Sequence, residues 1–189
     1  MTLDFQLKIM GYFAESQKIY ASIAPGEVAR LAHAIEEIRI SDSTVYVAGN
    51  GGSASTASHF ATDIGVGSLR RANPVKVVSL CDNAAVMTAL ANDITYDSVF
   101  EQQIKLLGRA GDLLVLISAS GNSQNLVSAA EAARALNMRV FTLTGFDGGI
   151  LKTLTPESNV HVPSRVGSYG LVEDAHLAIC HVITECVRS

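Results

Sequence analysis

Five short aliphatic and β-branched runs, VYVAG (45–49), VKVVSL (75–80), DLLVLIS (112–118), RVFTLT (139–144) and NVHVP (159–163), are separated by stretches long enough to be helices. Nothing else in the chain constrains its fold so strongly. Such runs carry apolar residues on both faces of the pleat, so each strand must be covered on two sides, and strands joined through helices pair in parallel. The alternation predicts an α/β fold: a doubly wound, mostly parallel five-stranded sheet flanked by helices.

The predicted helices cover 53–64, 83–107 with an interruption near Asn92-Asp93, 122–136, 150–154 and 171–187. Two more lead the chain. Leu3, Leu7, Met10, Phe13 and Ile19 recur at roughly helical intervals over 3–21, and Val28, Leu31, Ala34 and Ile35 follow Pro25-Gly26. Residues 1–40 are expected as a helical N-terminal extension of a single domain covering 1–189, a length that buries a substantial core. No repeat, low-complexity tract or long linker divides it, and GFDGG (145–149) reads as a turn.

Charge and cysteine usage exclude several classes. A formal net charge of −4, with Arg70-Arg71 the one arginine pair, leaves no basic surface for nucleic acid. The N-terminus lacks the pattern of a signal peptide, and no run of about twenty apolar residues offers a membrane span. Cys81, Cys180 and Cys186 form an odd set without CxxC spacing. They read as small buried residues in a cytoplasmic protein, not as a disulfide framework or zinc knuckle.

In an open parallel sheet, ligands sit beyond the carboxyl ends of the strands, where helices begin. Two loops stand there: Gly49-Asn50-Gly51-Gly52-Ser53 after the first run and Ser118-Ala119-Ser120-Gly121-Asn122-Ser123 after the third. Glycine lets the backbone approach an anion closely, and serine adds hydroxyl donors to the unpaired amides. Neither loop has a P-loop lysine or a GxGxxG pattern, so a phosphomonoester held by neutral donors fits better than a nucleotide. Serines and asparagines at helix starts also serve as plain caps. The pair of loops, each after a strand, is more specific than either alone.

His59 and Asp63 stand four apart in a predicted helix and share a face, a spacing that serves a metal site when further ligands join and a surface pair otherwise. The last helix, GLVEDAHLAICHVITECV, sets Glu173, Asp174, His176 and His181 in an apolar background. Buried histidines bonded to neighbours, or an acidic first turn, would explain each of these singly.

Taken together, these blocks resemble the sugar isomerase (SIS) domain, and within it the phosphoheptose isomerase branch. The resemblance rests on the two loops, His59-Phe60-Ala61, Ala91-Asn92-Asp93 with Tyr96-Asp97 and Val99-Phe100, Gly111-Asp112, Leu143-Thr144-Gly145, Val162-Pro163-Ser164, His176 and His181. It runs from about residue 5 to the end. It implies the SIS fold, a homotetramer with sites shared between subunits, and aldose–ketose isomerisation of a phosphosugar, sedoheptulose 7-phosphate to D-glycero-D-manno-heptose 7-phosphate.

By the same resemblance, Asp63 and His181 form the acid/base pair, and His59, Asp63, Glu173 and His181 hold zinc. Asn50, Gly51, Gly52, Ser53, Asn92, Asp93, Ser118, Ser120, Ser123 and Glu173 meet the substrate. The chain departs from the branch at Asp63 (for glutamate), Glu173 (for glutamine), Gly67 (for arginine), Gly170 (for aspartate) and Ala119 (for threonine). Eight helical residues between Glu173 and His181 span about 12 Å, so a shared metal requires Glu173 to precede the regular helix; otherwise His176 is its nearer companion. The alternatives are a non-catalytic SIS protein that binds a phosphosugar or a replication-initiator protein, and an isomerase of another sugar phosphate, such as one leading to a surface polysaccharide.

Overall fold

The structure, a computed structural model, describes residues 2–188. Strands β1 (Thr44–Gly49), β2 (Lys76–Ser79), β3 (Leu113–Ser118), β4 (Arg139–Phe146) and β5 (Asn159–Pro163) form one sheet in the order β2-β1-β3-β4-β5. All four pairings are parallel. The helices are α1 (Thr2–Ser22), α2 (Pro25–Ile40), α3 (Gly52–Gly67), α4 (Ala84–Asp93), α5 (Val99–Leu107), α6 (Gln124–Ala135), α7 (Gly149–Leu154) and α8 (Tyr169–Arg188). The doubly wound sheet expected from the apolar runs is the fold observed.

The two-period of the strands divides the interior. Val45, Val47, Leu113, Val115 and Ile117 face one core with Leu31 and Ile35 of α2, Phe60 and Ile64 of α3, and Ile179 and Ile183 of α8. Tyr46, Ala48, Leu114 and Leu116 face the other with Phe100 and Ile104 of α5 and Leu126 and Ala130 of α6. All six residues of β3 are buried. Each fully buried Leu, Ile or Phe contributes about 1.5–3 kcal/mol, which is what commits those runs to the centre.

The expected break near Asn92-Asp93 is real. α4 ends at Asp93, and a 3₁₀ turn at Tyr96–Ser98 leads into α5. The Thr95 hydroxyl accepts a hydrogen bond from the Asp97 amide at 2.9 Å and caps this restart. Within the expected N-terminal extension, the two helices behave differently: α2 buries Leu31 and Ile35 completely, whereas α1 leaves Phe5, Met10 and Phe13 58–68% exposed. Tyr12 ties α1 to α8 by donating to Asp174 Oδ2 at 2.5 Å. That bond pushes the Tyr12 pKa up to about 12. Among the described residues no helix is long and apolar enough to cross a membrane.

Of the three cysteines expected to be buried, Cys180 is buried, Cys81 is half-buried and donates to the Gly49 carbonyl, and Cys186 is exposed. Cys186 departs from expectation because it lies on the solvent side of the last turns of α8. Burial pushes the Cys81 and Cys180 thiols up, away from nucleophilic use.

The sheet order reverses between β1 and β3, and Gly49 pairs with Ile117, so the carboxyl ends of these strands are level. The two hydroxyl-bearing loops therefore emerge side by side at the crevice of the sheet.

Candidate active site

The loops line a cavity of about 150 Å³ with Asn50, Ser53, Ser118, Ser120 and Ser123, joined by Tyr169 and Glu173 from α8. Ser118 Oγ accepts from the Gly121 amide at 3.0 Å, and Ser120 Oγ from the Asn122 amide at 3.3 Å. Each hydroxyl keeps its own proton to donate. Ser123 occupies the N-cap position of α6 but makes no capping bond, so capping does not account for it. No lysine or arginine lines this cavity. Hydroxyls and first-turn amides are its donors, which suits an anion held without a countercharge.

The glycines here are geometric necessities. Gly121 has φ +66°, and a Cβ there would lie 2.0 Å from the Gly148 carbonyl oxygen. A Cβ on Gly52 would lie 2.5 Å from Glu173 Oε2. Gly51 and Gly52 thus form a turn that lets α8 press against the start of α3.

α3 and α8 lie alongside each other in the same direction, with Gly52 beside Glu173, His59 beside His181 and Gly67 beside Arg188. His59 Nε2 is 3.0 Å from Asp63 Oδ2 and 2.9 Å from His181 Nε2; His181 Nε2 is 3.9 Å from Asp63 Oδ2. These side chains are 34–51% exposed. Asp63 and His181 open onto a groove of about 810 Å³ that also carries Arg70 and Arg188.

Two imidazole nitrogens and a carboxylate oxygen, all within 4.8 Å of one another, are a donor set that could hold a metal ion, of the type an open zinc site uses. Their separations bracket the roughly 3.3 Å expected between ligand atoms at a tetrahedral zinc. The residues present fit the metal that the resemblance implies.

Glu173 falls outside this cluster. α8 begins at Tyr169, so Glu173 lies within the regular helix, two turns before His181 and about 12 Å along the axis. Its carboxylate packs against Gly52 and lines the serine cavity. His176 does not take its place beside a metal either: it is 1% exposed, and neither ring nitrogen has a hydrogen-bond partner among the described residues. Burial pushes its pKa down to about 4, and nearby His161 adds to the depression.

The residues expected to share one site thus form two groups: His59, Asp63 and His181 at the α3–α8 seam, and Asn50, Ser53, Ser118, Ser120, Ser123 and Glu173 around the serine cavity. Within one chain Asp63 and His181 line one concavity, with His59 bonded beside them, and the second group lines another. Asn92 and Asp93 lie exposed at the end of α4, bonded to each other at 2.8 Å, and line neither.

The SIS domain family matches residues 11–145. A phosphoheptose isomerase of Alteromonas mediterranea is 36% identical over 184 residues, 95% of this chain and 92% of its own. The chain belongs to the SIS family, among the phosphoheptose isomerases. Solved phosphoheptose isomerases from Neisseria gonorrhoeae and Francisella tularensis superpose with TM-scores of 0.87 and 0.90 at 31% and 30% identity. They match 97% and 100% of this chain and 98% of each of theirs.

This SIS domain also holds site residues that the sequence reading did not single out. Tyr169 walls the serine cavity and stacks edge-on against Phe146, with ring centroids 5.0 Å apart. Asn125, 2% exposed in the first turn of α6, bonds to Asn50. The sequence carries no local signal for Asn125, because its burial and its partner, 75 residues away, follow only from the fold. Arg188, beside Gly67, would have required knowing that α8 runs along α3.

Proposed function

We propose that this protein is an aldose–ketose isomerase that converts sedoheptulose 7-phosphate to D-glycero-D-manno-heptose 7-phosphate through an enediol. The observation that carries the reading is the meeting of His59, Asp63 and His181 on a chain whose crevice also presents four serine hydroxyls.

The phosphate is held by Ser53, Ser118, Ser120 and Ser123 with the turn Asn50-Gly51-Gly52. Asp63 removes the proton at C1 of the ketose and returns it at C2, while His181 moves the proton between the two oxygens. His59, Asp63 and His181 would hold zinc, which when bound supplies positive charge beside the oxygen where negative charge develops. Glu173 orients sugar hydroxyls from the wall of the serine cavity.

One substrate must reach both concavities. A homotetramer whose copies complete one another's sites meets that need, and the exposed Phe5, Met10 and Phe13 of α1 give it an apolar contact. A cytoplasmic enzyme suits the thiols of Cys81 and Cys180.

The test is proton exchange with solvent at the carbonyl-adjacent carbon across a panel of ketose and aldose phosphates. Exchange greatest with sedoheptulose 7-phosphate supports the proposal. Exchange with none of them refutes it, and exchange with a different sugar moves the substrate.

A further inference from the structure

We infer that Asn125 and Tyr96 are positioning residues: acting through Asn50, they fix the donor geometry of the serine cavity and so set how tightly it holds a phosphate. The inference rests on reading that cavity as the phosphate site.

Asn50 and Asn125 exchange two amide hydrogen bonds across 75 residues of sequence. Asn50 Nδ2 donates to Asn125 Oδ1 at 2.9 Å, and Asn125 Nδ2 donates to Asn50 Oδ1 at 2.9 Å. Tyr96 Oη donates to the same Asn50 Oδ1 at 2.8 Å. Both lone pairs of that oxygen are then engaged, and one of the two Nδ2 protons is committed. The Asn50 side chain is left with a single amide proton and no capacity to accept.

That restriction matters in front of a phosphate, which offers acceptors alone. A freely turning asparagine presents its carbonyl as readily as its amide, and a carbonyl facing an anion repels it. Fixing the amide removes the unfavourable orientation and the cost of ordering the side chain on binding.

The network also joins the cavity's parts. Asn50 lines the cavity and precedes Ser53, while Asn125 lies two residues beyond Ser123. The amide pair fastens the turn before α3 to the start of α6. Tyr96 brings in the 3₁₀ turn that follows Asn92 and Asp93. Neither Asn125 nor Tyr96 lines the cavity, so their effect passes through Asn50.

The test is calorimetric titration of the full chain with inorganic phosphate, alongside steady-state kinetics with the sugar phosphate. Tyr96→Phe and Asn125→Ala should each weaken phosphate binding about 3- to 10-fold. They should raise KM by a similar factor with kcat held within about twofold. In an Asn50→Ala background, both effects should vanish. Tyr96→Phe removes one hydroxyl from a side chain that is 54% exposed, so it reads the network even if Asn125→Ala fails to fold.

Unchanged phosphate affinity in Tyr96→Phe, or the same loss with and without Asn50, overturns the inference. A chain that binds phosphate but exchanges no sugar proton overturns the isomerase reading alone, and the titration still decides this one.

Discussion

His59 and His181, 122 residues apart in sequence, bring their Nε2 atoms to 2.9 Å across the seam between α3 and α8. At that distance two imidazoles either share one proton or turn both lone pairs toward a cation, and Asp63 Oδ2, 3.0 Å from His59, adds negative charge to the same spot.

Zinc is therefore expected to stabilise the fold. Adding it to chelator-treated protein should raise the melting temperature, by an amount that grows with zinc concentration as a ligand of the folded state requires. His59→Ala should abolish the shift. An equal shift in that variant would place the ion elsewhere.

Asp63→Asn and His181→Ala should each lower kcat by about 10²- to 10⁴-fold, the usual loss of a proton-transfer group. Both side chains are partly exposed, so circular dichroism and melting temperature should stay near those of the parent. Turnover that survives either change removes that residue from the mechanism.

Glu173 places a carboxylate on the wall of a cavity without a lysine or arginine. Glu173→Gln keeps the shape and removes the repulsion of a bound phosphate, so inorganic phosphate should bind several-fold more tightly, with the gain shrinking as salt rises. Weaker binding would mean that the carboxylate acts through another contact.

His176 makes stability depend on pH. Burial holds its pKa near 4 in the fold, against 6.5 for the ordinary side chain. Below about pH 6.5 the unfolded chain takes up a proton that the folded chain refuses. The stability present above that pH is thus lost as pH falls toward 4, by on the order of 3 kcal/mol from this group. Urea midpoints at pH 7.5 and 5 should differ less in His176→Leu than in the parent; an equal difference would assign the loss to other groups.

Gly121→Ala should destabilise the protein by more than about 3 kcal/mol or prevent folding, since the added methyl meets a backbone carbonyl at 2.0 Å and the residue has φ +66°. Urea unfolding measures it. A near-neutral result would show that the 118–123 loop and the Asp147-Gly148 turn between β4 and α7 separate easily.

The architecture was legible because its signal is local. Aliphatic residues on both faces of Leu113–Ser118 need cover from both sides whatever surrounds them, and the glycines and serines after β1 and β3 mark the strand ends directly. The break after Asp93 was equally visible in the Asn92-Asp93 pair. The surroundings of Glu173 were not legible, because they depend on where α8 begins: a helix that starts at Tyr169 carries it two turns from His181 and against Gly52, and no spacing rule reveals that neighbour.

By itself, the sequence determined the parallel sheet, the two hydroxyl-bearing loops and the residue types available for proton transfer and metal binding, because periodicity and turn chemistry act over a few residues. Only the tertiary structure decided which of them meet. Pairing His59 with His181, Glu173 with Gly52 and Asn50 with Asn125 depends on α3 and α8 packing in the same direction on one face of the sheet and on β1 and β3 ending level, and these long-range placements are fixed by burial of the two cores rather than by any local run of residues.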